Sequence, residues 1–226
     1  MCGRYAQYRS GGDLEIELDA TFDGDAPLPR YNIAPGSPVL VCRADSTGAR
    51  RFAMLHWGLI PSWSKDRKIA YRMINARAET VAEKPAFRAA FKHRRCLIPA
   101  DGFYEWTATP SGKQPYFVSR ADQSPIAFAG LWEHWTDQDT GEQVQSCTII
   151  VTEANALVRA IHDRMPVILQ PEDYGLWLDP RVTARAPLEP LLRPLDPELM
   201  SMHPVDRRVN RPQQDDPGLI EPIELE

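Results

Sequence analysis

The sequence predicts an α+β fold: one domain with an antiparallel-rich, barrel-like β-sheet core flanked by helices. Three observations lead there. Short apolar, β-rich runs bounded by turn residues recur along the chain, and several lie close enough to pair as hairpins. Helical stripes occur singly between groups of strands, not in the regular alternation of a βαβ series. The chain has 226 residues, 43% hydrophobic and 25% charged, a size and composition at which one globular domain buries its own core without a metal or disulfide. Its 21 prolines are spread along the length, which points to many turns and not to one unstructured block.

Taken in order, Asp13 to Phe22 alternates apolar and acidic residues and reads as a short helix. The runs PVLVCR (38–43) and RRFAMLHWGL (50–59) read as strands, joined into a hairpin by the DSTGA turn (45–49). Thr80-Val81-Ala82-Glu83 has the spacing of a capping box ahead of Pro85, and Ala86, Phe87, Ala90 and Phe91 continue as a helical stripe. Strands follow at 96–100, 103–106, 115–120, 126–135 and 145–151, the last after a turn at Asp139-Thr140-Gly141. Thr152 reads as the cap of a helix through Ala154, Leu157, Val158 and Ile161. PVIL (166–169) reads as a strand, and the segment from Pro171 through Leu176 and Trp177 as a helix. From Asp215 to Glu226 there are five acids and no base, with Pro217 and Pro222. The domain is therefore placed at 1–210, with 211–226 as an acidic, flexible tail.

The net charge of −5 disfavours nucleic acid as a partner until its distribution is considered. Between Lys65 and Arg95 ten Lys or Arg face three acids, and a local basic stretch can contact phosphates because charges further off than about 8 Å are screened. The four cysteines match no zinc or thioredoxin spacing. Cys42, Cys96 and Cys147 lie in apolar runs and read as core residues, as do Trp57, Trp132 and Trp177. His56, His93, His134 and His203 form no ligand spacing, so neither a metal nor another cofactor is expected. There is no Gly-rich phosphate loop, HExxH or GxSxG motif. No apolar segment reads as a signal peptide or a membrane span, which places the protein in the cytoplasm, with no membrane partner.

Cys2 stands apart. Removal of Met1, which aminopeptidases perform before a small residue, leaves an amine and a thiol on adjacent carbons. An α-amine has a pKa near 7.7–8.0 against about 10.4 for lysine, so much more of it is nucleophilic at neutral pH. The amine can condense with an aldehyde to an imine, and the thiol can then close a five-membered thiazolidine. The ring-opened sugar of an abasic site is such an aldehyde. The alternative is a frayed terminus without a role.

Six segments, MCGRY (1–5), RYNIAPG (30–36), WGLIPSW (57–63), NARAET (75–80), CLIPADGFYEW (96–106) and HDRMPVIL (162–169), together resemble the SOS-response-associated peptidase family, whose members crosslink to abasic sites. The resemblance covers nearly the whole chain. It implies that Cys2 is the covalent residue, that Asn75 lines the site, and that Arg77 binds a phosphate beside the lesion. It also implies that Glu105 is the catalytic carboxylate and His162 a proton donor. Strand alternation puts Glu105 on one face with Phe103, where desolvation raises a carboxyl pKa. A helix C-terminus at His162 favours the imidazolium. Without the resemblance these residues read as a turn amide, a surface ion pair, an edge-strand carboxylate and a structural histidine.

Single-strand binders join basic groups to stacking platforms. Arg4, Arg77 and Arg164 are the phosphate candidates, Trp63, Trp106 and Pro38 the base contacts, and Thr152 a backbone contact. The expected partner is single-stranded DNA carrying an abasic site, captured by a monomer that is consumed once per lesion, with weak lyase activity from the imine. The competing readings are an N-terminal thiol peptidase and a passive reader of single-stranded or modified DNA.

Overall fold

The computed structural model describes residues 2–225. In chain order the elements are β1 (Tyr5–Gln7), α1 (Gly11–Leu18), β2 (Ala20–Thr21), β3 (Arg30–Ile33), β4 (Pro38–Ala44), β5 (Arg50–Trp57), β6 (Asn75–Arg77), α2 (Arg88–His93), β7 (Arg95–Ala100) and β8 (Gly102–Thr109). They continue as β9 (Gly112–Arg120), β10 (Ile126–Thr136), β11 (Gln143–Glu153), β12 (Arg164–Pro166), β13 (Ile168–Leu169), α3 (Tyr174–Leu178) and β14 (Met200–Pro204). A five-stranded sheet has the order β14-β9-β8-β1-β3, and a nine-stranded sheet runs β12-β11-β10-β7-β4-β5-β2, with β6 added to β11 and β13 to β10. Because β5 also pairs in parallel with β11, at Ser146↔His56 and Cys147↔Trp57, the second sheet closes on itself. The fold is therefore α+β, antiparallel-rich and barrel-like.

Strand alternation sorts the core into layers. Val39, Val41, Cys96, Ile98 and Cys147 of the closed sheet face a layer shared with Tyr5, Phe103 and Val118 of the five-stranded sheet, and Cys2 lies in this layer. Leu40, Cys42 and Leu97 turn the other way, onto Leu14 and Leu18 of α1, Phe91 of α2 and Trp177 of α3. On the far side of the five-stranded sheet, Ala6, Tyr104 and Phe117 pack against Val205, Val209 and Leu219 from the C-terminal segment. No helix among the described residues is long and apolar enough to cross a membrane.

The β4–β5 hairpin forms as expected, with Asp45 accepting from Thr47 and Ala49 and Gly48 in the left-handed region at φ 89°. Four expectations need correction. The Thr80–Glu83 box caps nothing: Thr80 Oγ1 is buried without a hydrogen-bond partner among the described residues, Glu83 is paired with Arg185 at 2.9 Å, and the helix begins only at Arg88. Thr152 does not start a helix, because β11 continues through it, opposite Met165; the capping side chain is Asn155, whose Oδ1 accepts from Val158 N at 3.0 Å ahead of a short 3-10 turn. Trp132 is only partly buried and carries the Arg43 guanidinium 4.3 Å above its ring, while Trp135 is fully enclosed.

The fourth concerns the tail. Leu219 is 0% exposed, Ile223 N bonds to Pro204 O, and Asp215 Oδ1 accepts from the amides of Tyr31 (2.5 Å) and Asn32 (3.0 Å). Two of the acids that suggested a flexible end, Asp215 and Asp216, accept hydrogen bonds from Tyr31, Asn32 and Arg208, so the segment through Ile223 is tied to the domain. Glu226, the last residue of the expected tail, lies outside the described residues, as does the predicted processing of Met1.

Candidate active site

The site is built on the inner end of β1. Antiparallel pairing places Tyr5 opposite Phe103 and Ala6 opposite Gly102, and Tyr104 N donates to Arg4 O at 2.9 Å, which carries Cys2 back along β8 toward Glu105. Gly102 is required here: a Cβ would lie 2.3 Å from the Phe117 ring and 2.7 Å from Val118 O. Cys2 is fully buried. Its thiol is pushed far above the ordinary range, first by burial and then by the Glu105 carboxylate, with the positive amino terminus and the Arg4 amide pulling the other way. Such a thiol is neutral at physiological pH.

Glu105 is itself 3% exposed. Burial raises its carboxyl to about 7, against the lowering effect of the amino-terminal charge and the Trp106 amide. A carboxyl titrating there can both take and return a proton at neutral pH. His162 lies nearby, since the Asp163 carboxylate, 3.1 Å from its Nδ1, also acts on Glu105. The same His162 Nδ1 lies 2.9 Å from Arg164 N and 3.2 Å from Arg164 O. Burial and the amino-terminal charge lower its pKa. The imidazolium expected at a helix end is thus not favoured, because the helix is a single turn and desolvation outweighs its dipole.

Asn75 enters from β6, beside Ile149 of β11. Its Nδ2 donates to Ile74 O at 3.0 Å, while its Oδ1 is buried without a hydrogen-bond partner among the described residues. Arg77, Thr152 and Arg164 lie side by side on β6, β11 and β12, through the pairs Val151↔Arg77 and Glu153↔Arg164. Arg77 is exposed, Arg164 is ion-paired with Glu79, and Thr152 is buried. The structure thus sets Cys2 beside Glu105, with Asp163 and its neighbour His162 close by, and an arginine edge at the C-terminal end of β11.

The remaining residues are placed differently. Arg4 Nη1 donates to Asn32 Oδ1 and Val209 O, both at 2.7 Å, so part of this guanidinium is committed inside the fold. Trp106 is half-buried, 5.9 Å from the Arg4 guanidinium, and its Nε1 donates to Asn210 Oδ1 at 2.6 Å. Trp63 is 59% exposed and lines a groove with Lys65, Lys68 and Arg72. Pro38 is exposed at the start of β4, opposite His56. Sequence reasoning missed Asp101, which is 4% exposed and accepts from Tyr8 N (2.6 Å), Arg9 N (3.2 Å) and Arg9 Nε (2.8 Å), clamping the exit of β1. It also missed Asn32, 1% exposed, whose Nδ2 reaches the carbonyls of Val209, Arg211 and Gln214. Both stand inside quoted motifs, but neither pattern nor spacing marks them out from turn residues.

The sequence pattern that defines the SOS response associated peptidase family matches residues 1–212. The chain is 42% identical to the abasic site processing protein YoqW of Bacillus subtilis, over 98% of this chain and 99% of that one. It is 32% identical to the abasic site processing protein YedK of Escherichia coli, over 99% and 100% of the two chains. The abasic site processing protein HMCES of Xenopus tropicalis is 34% identical over 90% of this chain and 69% of its own length. A crystal structure of a Bacteroides thetaiotaomicron protein superposes with a TM-score of 0.88 at 26% identity, covering 99% of this chain and 100% of that one. By pattern, by sequence and by fold, this chain belongs to the SOS response associated peptidase family.

Proposed function

We propose that this protein processes abasic sites in single-stranded DNA by bonding covalently to the sugar aldehyde through Cys2, once Met1 has been removed. The observation that carries the reading is a buried thiol beside a buried carboxyl that titrates near pH 7. The names of the relatives point to the same lesion. The amine attacks first, because the thiol is held protonated. Its nitrogen adds to the aldehyde carbon, and Glu105 carries one proton from that nitrogen to the oxygen, giving a carbinolamine. A second proton passes from the nitrogen through Glu105 to the hydroxyl as it leaves as water, and a neutral imine forms. The thiol sulfur then adds to the imine carbon and its proton passes to the nitrogen, closing the thiazolidine with one water lost overall. The His162 imidazole is suited to hydrogen-bond the sugar oxygen freed when the ring opens. Arg77 and Arg164 would hold flanking phosphates, as guanidinium groups do in bidentate fashion, and Asn75 would line the pocket.

A thiol peptidase needs a thiolate at neutral pH, which burial and the neighbouring carboxylate oppose in Cys2. The amine-first route has no such requirement. The test is denaturing electrophoresis and intact mass after mixing the Met1-processed protein with a single-stranded oligonucleotide bearing one abasic site. The expected product is a heat-stable band whose mass is the sum of the two less one water, absent with Cys2→Ala and with undamaged DNA. Processed protein that gives no such band refutes covalent capture, and turnover of a peptide by the same protein would move the reading to the peptidase.

A further inference from the structure

The C-terminal segment touches both strands that carry the reacting groups. The 3-10 turn Arg207–Asn210 is seated by Val209, which is fully buried, and started by Asp206, whose carboxylate accepts from Arg208 N at 2.8 Å. From this seat Val209 O receives Arg4 Nη1, two residues from Cys2. The next residue, Asn210, receives the indole N–H of Trp106, the neighbour of Glu105. Asn32 fastens the segment from below, accepting from Arg4 and donating to three of its carbonyls, while Asp215 receives the Asn32 amide. The turn therefore has a fixed position, and it reaches the site through Val209 packing in the cluster that holds Tyr104 and Trp106 and through the Asn210–Trp106 hydrogen bond.

A half-buried indole beside a guanidinium is a stacking surface only in one orientation. Trp106 meets Tyr104 at a tilt of 41°, with ring centroids 6.5 Å apart, and the Arg4 guanidinium from another side. Neither contact specifies which edge of the indole faces inward. The 2.6 Å hydrogen bond to Asn210 does, because only Nε1 can donate. We propose that Asn210 is a positioning residue for DNA binding: it holds the Trp106 ring in the orientation that stacks a base, which makes the C-terminal turn a working part of the site. The inference rests on the reading above that Trp106 meets single-stranded DNA.

The test is a double-mutant cycle on the full chain, using an undamaged single-stranded oligonucleotide followed by fluorescence anisotropy. Asn210→Ala is expected to raise the half-saturating DNA concentration about fivefold, the low end of what one base–aromatic stack contributes. In a Trp106→Phe background, which keeps a ring but lacks the N–H, the same change should add less than twofold. The indole N–H resonance of Trp106, identified by its absence in Trp106→Phe, should move in Asn210→Ala and return in Asn210→Asp, which keeps an acceptor. Unaltered DNA binding by Asn210→Ala, an equal loss in the Trp106→Phe background, or an unmoved resonance each overturns the proposal. A parent protein that binds no single strand sinks the functional reading along with it, whereas a parent that binds while Asn210→Ala behaves identically sinks this inference alone.

Discussion

The two sheets solve the problem of burial in opposite ways. The closed nine-stranded sheet buries two apolar faces; its enclosed charges, Arg95 and Glu133, are spent on helix-end carbonyls and on an ion pair with Arg94. The five-stranded sheet buries a polar side chain on each of four strands: Gln7 on β1, Asn32 on β3, Glu105 on β8 and Gln114 on β9. Gln114 Nε2 donates to Val205 O and Asn32 Nδ2 to Val209 O, so this sheet is tied by amides to chain made much later. The first sheet is held by area, which tolerates small changes. The second is held by paired polar groups, where removing or inverting one partner is expensive. The proposed chemistry draws Cys2 and Glu105 to the second sheet, where burial raises the carboxyl and paired polar groups hold the strands.

This contrast breaks most sharply at Asn32. Asn32→Asp would turn a carboxylate toward three backbone carbonyls in a buried site, and the expected loss exceeds about 3 kcal/mol, seen as a collapse of the denaturation midpoint. A near-normal midpoint would show that the polar sheet is as tolerant as the apolar one.

Glu105 tests the opposite sign. The folded protein holds this carboxyl at about 7, above the roughly 4.3 of an unfolded chain. Between those values the folded state binds the proton more tightly. The stability contributed by the neutral form is complete below about pH 4 and is lost as pH rises through 7. Glu105→Gln is therefore expected to be stabilised relative to the parent at pH 8, by up to about 3 kcal/mol, and unchanged at pH 4, while losing crosslinking. Urea denaturation at the two pH values measures this, and equal differences at both would show that the carboxyl is not raised.

Asp101→Asn should cost about 2 kcal/mol through its charge-assisted bonds and slow crosslinking, because the exit of β1 loosens. Cys147→Ala, in the apolar sheet, should cost about 1 kcal/mol by thermal melting and leave the crosslinked fraction unchanged.

The same contrast explains what was legible in the sequence. The β4–β5 and β10–β11 hairpins and the stripe of Phe87, Ala90 and Phe91 are visible because apolar periodicity is a local signal. The motif resemblance brought Cys2, Glu105 and His162 into view, and in the structure the Glu105 carboxylate acts on the Cys2 thiol. Signals that depend on a competing partner misled: Glu83 is drawn away by Arg185, and Thr152 stays in the ladder with Met165. Asp215 looked like tail because its partners, the amides of Tyr31 and Asn32, lie far upstream. Asn32 and Asp101 could not be singled out, since an amide or carboxylate with several remote partners looks like a turn residue until the chain is folded.

The bonds from Arg4 and Asn32 to Val209 also order events during synthesis. Cys2 leaves the ribosome first, and Val209 follows only after about 200 more residues, roughly 10 to 40 s later at ordinary translation rates. Through that interval the amine and thiol exist without the clamp that aligns them with Glu105. On the proposed function, a nascent chain meeting a stray metabolic aldehyde would offer it an ordinary cysteine until Val209 had been made.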